Sequence, residues 1–245
     1  MPNHLFDKDG NSIQRRYNGG EIGGDTIKAI IWDFDGTIVD TETPQFEAWQ
    51  ALFGEFGARL EPHVWGKMVG TVTDWDLFDV LERLTGGPVQ RIKLERKVRR
   101  LIEKKMTEAP IRDGVGEIIT EAAGRGLRQA VASSSPRWWI REFLRRHRLE
   151  SYFAAIASAD DVRRVKPDPE VYLTALARLK VGPLEAIAIE DSPHGSRAAL
   201  QAGIPCLVVP NPSTMELPFP VGVHRLDTLK GVTLDGLQAV FQDVR

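Results

Sequence analysis

Four short clusters of carboxylates, hydroxyls and one lysine hold the residue types that phosphoryl chemistry needs. The first is Asp33-Phe34-Asp35-Gly36-Thr37, two carboxylates at i, i+2 directly after an apolar run. One carboxylate can act as a nucleophile and form an aspartyl-phosphate. A second carboxyl beside it can protonate the leaving oxygen and then activate water. In Val131-Ala132-Ser133-Ser134-Ser135-Pro136, Ser133 offers a hydroxyl to a phosphate oxygen. Ser135 suits a helix N-cap and Pro136 the first helical position, where free backbone N–H groups face an anion. In Val165-Lys166-Pro167-Asp168-Pro169, Lys166 can neutralise both phosphate and nucleophile, and Asp168 can cap the next helix. In Ala188-Ile189-Glu190-Asp191-Ser192-Pro193 two more carboxylates end an apolar run. Hard oxygen ligands suit magnesium, and without a cation Asp33, Asp35, Glu190 and Asp191 would repel one another. Each cluster alone also reads as something plainer: turn acids, a capped helix, an exposed lysine.

The elements around these clusters say how they are positioned. Apolar runs at 27–32, 127–132, 154–158, 186–189 and 205–209 read as buried strands. Helical spacing covers 136–149, 169–179 and 193–202. Strands alternating with helices predict an α/β fold, a Rossmann-like parallel sheet with helices on both faces. Ligands of such sheets bind outside the carboxyl ends of the strands, where the four clusters fall. Residues 44–112 break the alternation with helical patterns at 44–56, 75–85 and 89–107 and no strand. They predict an inserted helical domain, with core domain segments at 26–43 and 113–245. Residues 1–25 are polar and glycine-rich and read as a flexible extension. Within them Asp7-Lys8-Asp9-Gly10-Asn11 fails as a calcium loop, because Ser12 and Asn18 stand where glycine and glutamate are required.

Composition narrows the partners. The formal charge is −2, from 32 basic and 34 acidic residues. That excess favours neither nucleic acid nor an anionic membrane. The basic stretches at 96–100 and 145–148 read as solvated helix faces. The single cysteine, Cys206, lies in an apolar run and reads as a buried small hydrophobe. With no possible disulfide, no secretion signal and no membrane-length apolar run, the expected location is cytoplasmic. The sequence does not specify an oligomeric state, and a monomer is the default expectation.

In this order and on these elements, the four clusters resemble the haloacid dehalogenase superfamily, over about residues 27–240. The 44–112 insertion resembles the small helical cap of the beta-phosphoglucomutase-like branch. The resemblance implies Asp33 as nucleophile and Asp35 as general acid and base. It implies a phosphate cradle of Ser133, the Ser134 amide and Lys166. It also implies a Mg2+ ion held by Asp33, the Asp35 carbonyl, Glu190 and Asp191. The dehalogenases that named the superfamily lack the second aspartate of the first motif, so Asp35 argues for phosphorus chemistry. No lysine matches the Schiff-base residue of the phosphonate-cleaving members. The implied activity is magnesium-dependent hydrolysis of a small phosphate monoester, a sugar phosphate or similar phosphorylated metabolite. The alternatives are a sugar phosphomutase of the beta-phosphoglucomutase type and a catalytically idle binding or regulatory protein on the same fold. Of the remaining residues, His194 reads as a surface residue at a helix start, Trp138-Trp139 as a pair with one member facing the core, and Trp65 and Trp75 as cap packing.

Overall fold

The computed structural model describes residues 27–71, 76–106 and 109–242. The expected extension at 1–25 and Trp75 lie outside them. The strands are β1 (Ala29–Trp32), β2 (Arg128–Ala132), β3 (Ala155–Ala157), β4 (Ala186–Glu190), β5 (Cys206–Val208) and β6 (His224–Arg225). The helices are α1 (Glu42–Glu55), α2 (Pro62–Trp65), α3 (Leu77–Thr85), α4 (Arg91–Met106), α5 (Val115–Gly124), α6 (Arg137–Arg146), α7 (Glu170–Leu179), α8 (Pro193–Gln201) and α9 (Leu234–Gln242). The strands form one parallel sheet in the order β3-β2-β1-β4-β5-β6. The chain leaves β1 toward one edge and returns to β4 on the other side, so β1 and β4 flank the switch point where such sheets bind ligands.

Side chains alternate across a strand, and the two faces of this sheet differ in size. Ile30, Trp32, Val131, Ile187, Ile189 and Leu207 pack on the side of α5, α6 and α9. Ala29, Ile31, Ala130, Ala132, Ala186 and Ala188 face α7 and α8. The alanines let those two helices approach closely. Trp32 is fully buried and donates its indole N–H to Gln129 Oε1 at 3.0 Å, and Gln129 in turn donates to the Ile119 carbonyl at 2.9 Å. A buried tryptophan in a sheet needs such a partner. Cys206 is buried, as its apolar run implied.

Between β1 and β2 the chain forms a helical insertion with its own core of Phe46, Leu52, Phe53, Trp65, Leu81 and Val98. The chain segments that enter and leave it pair with each other. Asp40 N–H donates to the Pro110 carbonyl and Arg112 N–H to the Ile38 carbonyl, both at 3.0 Å. Two helix starts differ in outcome. Ser192 caps α8, accepting from Gly195 N–H at 3.0 Å with Pro193 next in line. Ser135 does not cap α6: the helix begins at Arg137, and the hydroxyl of Ser135 turns to Asp35 instead. Among the described residues no helix is long and apolar enough to cross a membrane.

Candidate active site

β1 ends at Asp33 because the next turn reverses sharply. Gly36 takes φ +80, and a Cβ there would lie 2.3 Å from Asp191 Oδ2. Only glycine fits that turn and that approach. Asp33 is buried, and its backbone N–H still belongs to the sheet, donating to the Ile189 carbonyl at 2.9 Å. Its side chain therefore projects from the sheet's carboxyl edge, beside the residues that follow β4.

Lys166 is fully buried and donates to Asp33 Oδ1 at 2.5 Å and to Glu190 Oε1 at 2.7 Å. Burial pushes its ammonium down, but Asp33 and Glu190 outweigh that and hold it above the usual lysine value. Tyr172 OH also donates to Glu190 Oε1, at 2.7 Å, and the Ser192 hydroxyl donates to Glu190 Oε2 at 3.2 Å. Glu190 is thus a hub between the lysine and the start of α8. Asp191 accepts from Asn211 Nδ2 at 2.6 Å and from the Thr37 hydroxyl at 3.3 Å. Burial, then Asp33, Glu190 and Glu42, raise its carboxyl well above the ordinary range.

Asp33 Oδ2 is buried and has no hydrogen-bond partner among the described residues. One oxygen each of Asp33, Glu190 and Asp191 lie within 4.8 Å of one another. An orphaned carboxylate oxygen among crowded acids is costly without a cation. The donors are all hard oxygens, so the residues present fit a small divalent ion.

Asp35 sits half-buried at the wall of a cavity of about 480 Å³ between the sheet edge and the insertion, a size common for small-ligand sites. Three donors hold its carboxyl: Ser135 Oγ on Oδ2 at 2.5 Å, and Thr41 Oγ1 and Trp139 Nε1 on Oδ1 at 2.8 and 2.9 Å. Burial raises its pKa, and nearby Asp33 adds to that against the three donors. Ser133 Oγ reaches Asp35 Oδ2 only at 3.5 Å and accepts from Ser135 N–H at 3.0 Å. The Ser134 hydroxyl donates across to the Gly70 carbonyl at 3.2 Å.

Two more contacts close the insertion over the core. The Thr71 hydroxyl donates to the Lys166 carbonyl. His194 Nδ1 lies 3.1 Å from the Val69 carbonyl, which can only accept, so that nitrogen carries the proton. His194 is therefore a half-buried partner of the insertion, where the sequence reading had a surface residue. Gly70 takes φ +76, and a Cβ there would meet Ser192 Oγ at 2.3 Å. Trp139 faces inward and Trp138 is 68% exposed, as one of the pair had to be. Trp65 packs on Phe46 with ring centroids 5.6 Å apart and also borders the cavity.

All seven residues singled out in the sequence lie at this end of the sheet. Sequence reasoning missed Thr41, Glu42, Trp139 and Tyr172 as site residues, and the contacts of Thr37 and Asn211 with Asp191. Glu42 had one visible signal, an acid in the first turn of a helix two residues after Asp40.

A parallel sheet with aspartates after its first and fourth strands, a buried lysine between them and a helical cap inserted after the first strand defines a class of phosphoryl-transfer hydrolases. The chain belongs to the haloacid dehalogenase-like hydrolases, whose family model matches residues 30–209. It is 41% identical to YhcW of Bacillus subtilis (strain 168) over 208 residues, covering 85% of this chain and 94% of YhcW. It is 33% identical to the phosphorylated carbohydrates phosphatase of Thermotoga maritima, covering 73% of this chain and 82% of that one. A crystal structure of CbbY from Rhodobacter sphaeroides with xylulose-(1,5)bisphosphate superposes with a TM-score of 0.67 at 29% identity, covering 86% of this chain and 99% of CbbY. The protein is a phosphatase of this family acting on phosphate monoesters, near the beta-phosphoglucomutase and CbbY branch.

Proposed function

We propose that the protein hydrolyses a small phosphate monoester, a sugar phosphate or similar metabolite, through an aspartyl-phosphate on Asp33. The observation that carries this is the pair Asp33 and Asp35: one carboxylate salt-bridged to Lys166 at 2.5 Å, the other raised by burial and lining the same cavity. The Asp33 carboxylate attacks phosphorus, and the ester oxygen leaves with the proton of Asp35. Water then attacks the phosphoryl-aspartate, Asp35 takes its proton, and inorganic phosphate departs with Asp33 regenerated. Ser133, the Ser134 amide and Lys166 hold the phosphoryl oxygens. The Ser134 N–H has no partner among the described residues, as a phosphate donor requires. Mg2+ would be held by the side chains of Asp33, Asp191 and Glu190 and the carbonyl of Asp35. When bound, it offsets charge on the phosphoryl oxygens. Residues 44–112 act as the cap, and core segments 26–43 and 113–245 supply the chemistry.

Turnover of p-nitrophenyl phosphate, and phosphate release from a panel of sugar phosphates, test this with and without chelator. Chelation stops release and added magnesium restores it. Full activity after exhaustive chelation overturns the metal assignment, and no release from any ester overturns the function.

A further inference from the structure

The cavity beside Asp35 contains an acid that the chemistry above does not use. Glu42 opens α1, is 7% exposed and lines the cavity. No described residue donates a hydrogen bond to its carboxyl or pairs with it. Burial first, then Asp35, Asp33 and Asp40, raise it well above the ordinary range. Its oxygens are not sealed off: they open onto the cavity, where a ligand can supply the partner that no described residue does.

The rest of the lining limits what that ligand is. Gln45, one turn along α1, uses its Nε2 on the Thr41 carbonyl at 2.9 Å, leaving its amide oxygen to accept. Trp138 is largely exposed and lines the cavity, and Met68 and Ile102 of the cap line it too. Among the described lining residues none is lysine or arginine. The nearby cations are engaged: Lys166 holds Asp33 and Glu190, and Arg112 donates to the carbonyls of Gly36, Val209 and Pro210. The cap residues 72–75 and 107–108 contain no lysine or arginine either.

We infer that Glu42, Gln45 and Trp138 form a subsite for the leaving group, one that takes a neutral polyhydroxylated carbon chain or ring and rejects a leaving group carrying a second anion. The inference rests on the phosphatase reading. In either protonation state Glu42 accepts a hydrogen bond from a substrate hydroxyl, as does the Gln45 amide oxygen. The C–H face of a polyol packs on the Trp138 ring. A carboxylate or second phosphate would lie beside Glu42 and Asp35 with no cation to receive it. CbbY, by contrast, was solved with a bisphosphate.

Matched substrates test this with the intact enzyme and magnesium. The pairs are glycerol phosphate against phosphoglycerate, and glucitol phosphate against phosphogluconate, each differing by a hydroxymethyl group in place of a carboxylate. The neutral member is expected to have a kcat/KM higher by about tenfold or more. Glu42→Gln should lower kcat/KM for the neutral member relative to p-nitrophenyl phosphate, and should narrow the ratio within each pair. Gln45→Lys should narrow it by raising turnover of the anionic member, a gain that misfolding cannot produce. Equal turnover within the wild-type pairs overturns the inference, as does a ratio that neither substitution moves. So does turnover of p-nitrophenyl phosphate without turnover of either neutral substrate. Inactivity on p-nitrophenyl phosphate itself overturns the phosphatase reading, a separate result.

Discussion

Asp33 and Asp35 differ in surroundings more than in chemistry. Lys166 holds one oxygen of Asp33 and leaves the other without a partner among the described residues, so this carboxylate is oriented and still has a free lone pair. Asp35 is gripped by Ser135, Thr41 and Trp139, in a setting that favours a proton. Asp33→Asn should abolish turnover, because an amide does not form the phosphoenzyme. Residual activity above about one per cent of wild type would remove Asp33 from the nucleophile's role. Asp35→Asn should leave little hydrolysis of alkyl phosphates, which need a protonated leaving group, and a near-normal rate would contradict that. Asp191→Ala removes the acceptor of Asn211 and Thr37 as well as a candidate ligand. The magnesium concentration for half-maximal activity should rise by about tenfold or more, and an unchanged magnesium titration would exclude Asp191 as a ligand. These residues were legible because each sits in a short run that ends a strand, so type and position coincide along the chain. Their partners were not. Trp139 lies 104 positions from Asp35, and Thr37 lies 154 from Asp191. Only the fold brings them together, and nothing local to Trp139 distinguishes it from an ordinary core aromatic.

At the scale of elements, the site depends on how closely α8 approaches β4. The first turn of α8 contains Gly195, where a Cβ would lie 1.9 Å from Glu190 Oε1 and 2.2 Å from Oε2. Those oxygens receive Lys166, Tyr172 and Ser192, so Glu190 has no room to retreat. Gly195→Ala should therefore cost roughly 1–3 kcal/mol as overpacking, a fall in Tm of roughly 2–10 °C, and lower kcat by displacing the Glu190–Lys166 pair. Thermal melts and kinetics check both effects; a variant with wild-type Tm and kcat would show that α8 has slack. Most of this scaffold was legible. The apolar runs predicted five strands, and all five formed, because parallel strands covered on both faces need continuous apolar sequence; β1, β2, β3 and β5 lie within their runs and β4 extends one residue past its run, to Glu190. β6 was missed: it is His224–Arg225 at the sheet edge, too short and too polar to leave a pattern. The start of α6 was placed too early, because Ser135-Pro136 has capping chemistry that tertiary contact with Asp35 overrides. α2 spans four residues, below the length at which helical spacing shows.

At the scale of the whole molecule, the relation of cap to core decides between hydrolysis and mutase chemistry. A mutase must grip the distal phosphate of its substrate while the other end reacts, and then hold a bisphosphate as it turns round. That needs cations on the cap facing the core, because a second dianion must be held away from the metal. In the cap, Val69, Thr73 and Gln45 carry no charge. Val69 is buried and meets His194 through its carbonyl, and Gln45 donates to the Thr41 carbonyl. Thr73 lies outside the described residues. The basic residues that could substitute point elsewhere. Lys67 is exposed and does not line the cavity. Arg96, Lys97 and Arg100 of α4 line a separate groove on the cap, and Lys97 and Lys105 pair with Glu55 and Glu47. The enzyme should therefore release phosphate and not interconvert glucose phosphates. Incubation with beta-glucose phosphorylated at the anomeric oxygen, magnesium and a trace of the bisphosphate decides it. Free phosphate should accumulate without the isomer phosphorylated at the primary hydroxyl. Efficient formation of that isomer, with little phosphate released, would mean that the cap holds a second phosphate by groups other than lysine and arginine side chains.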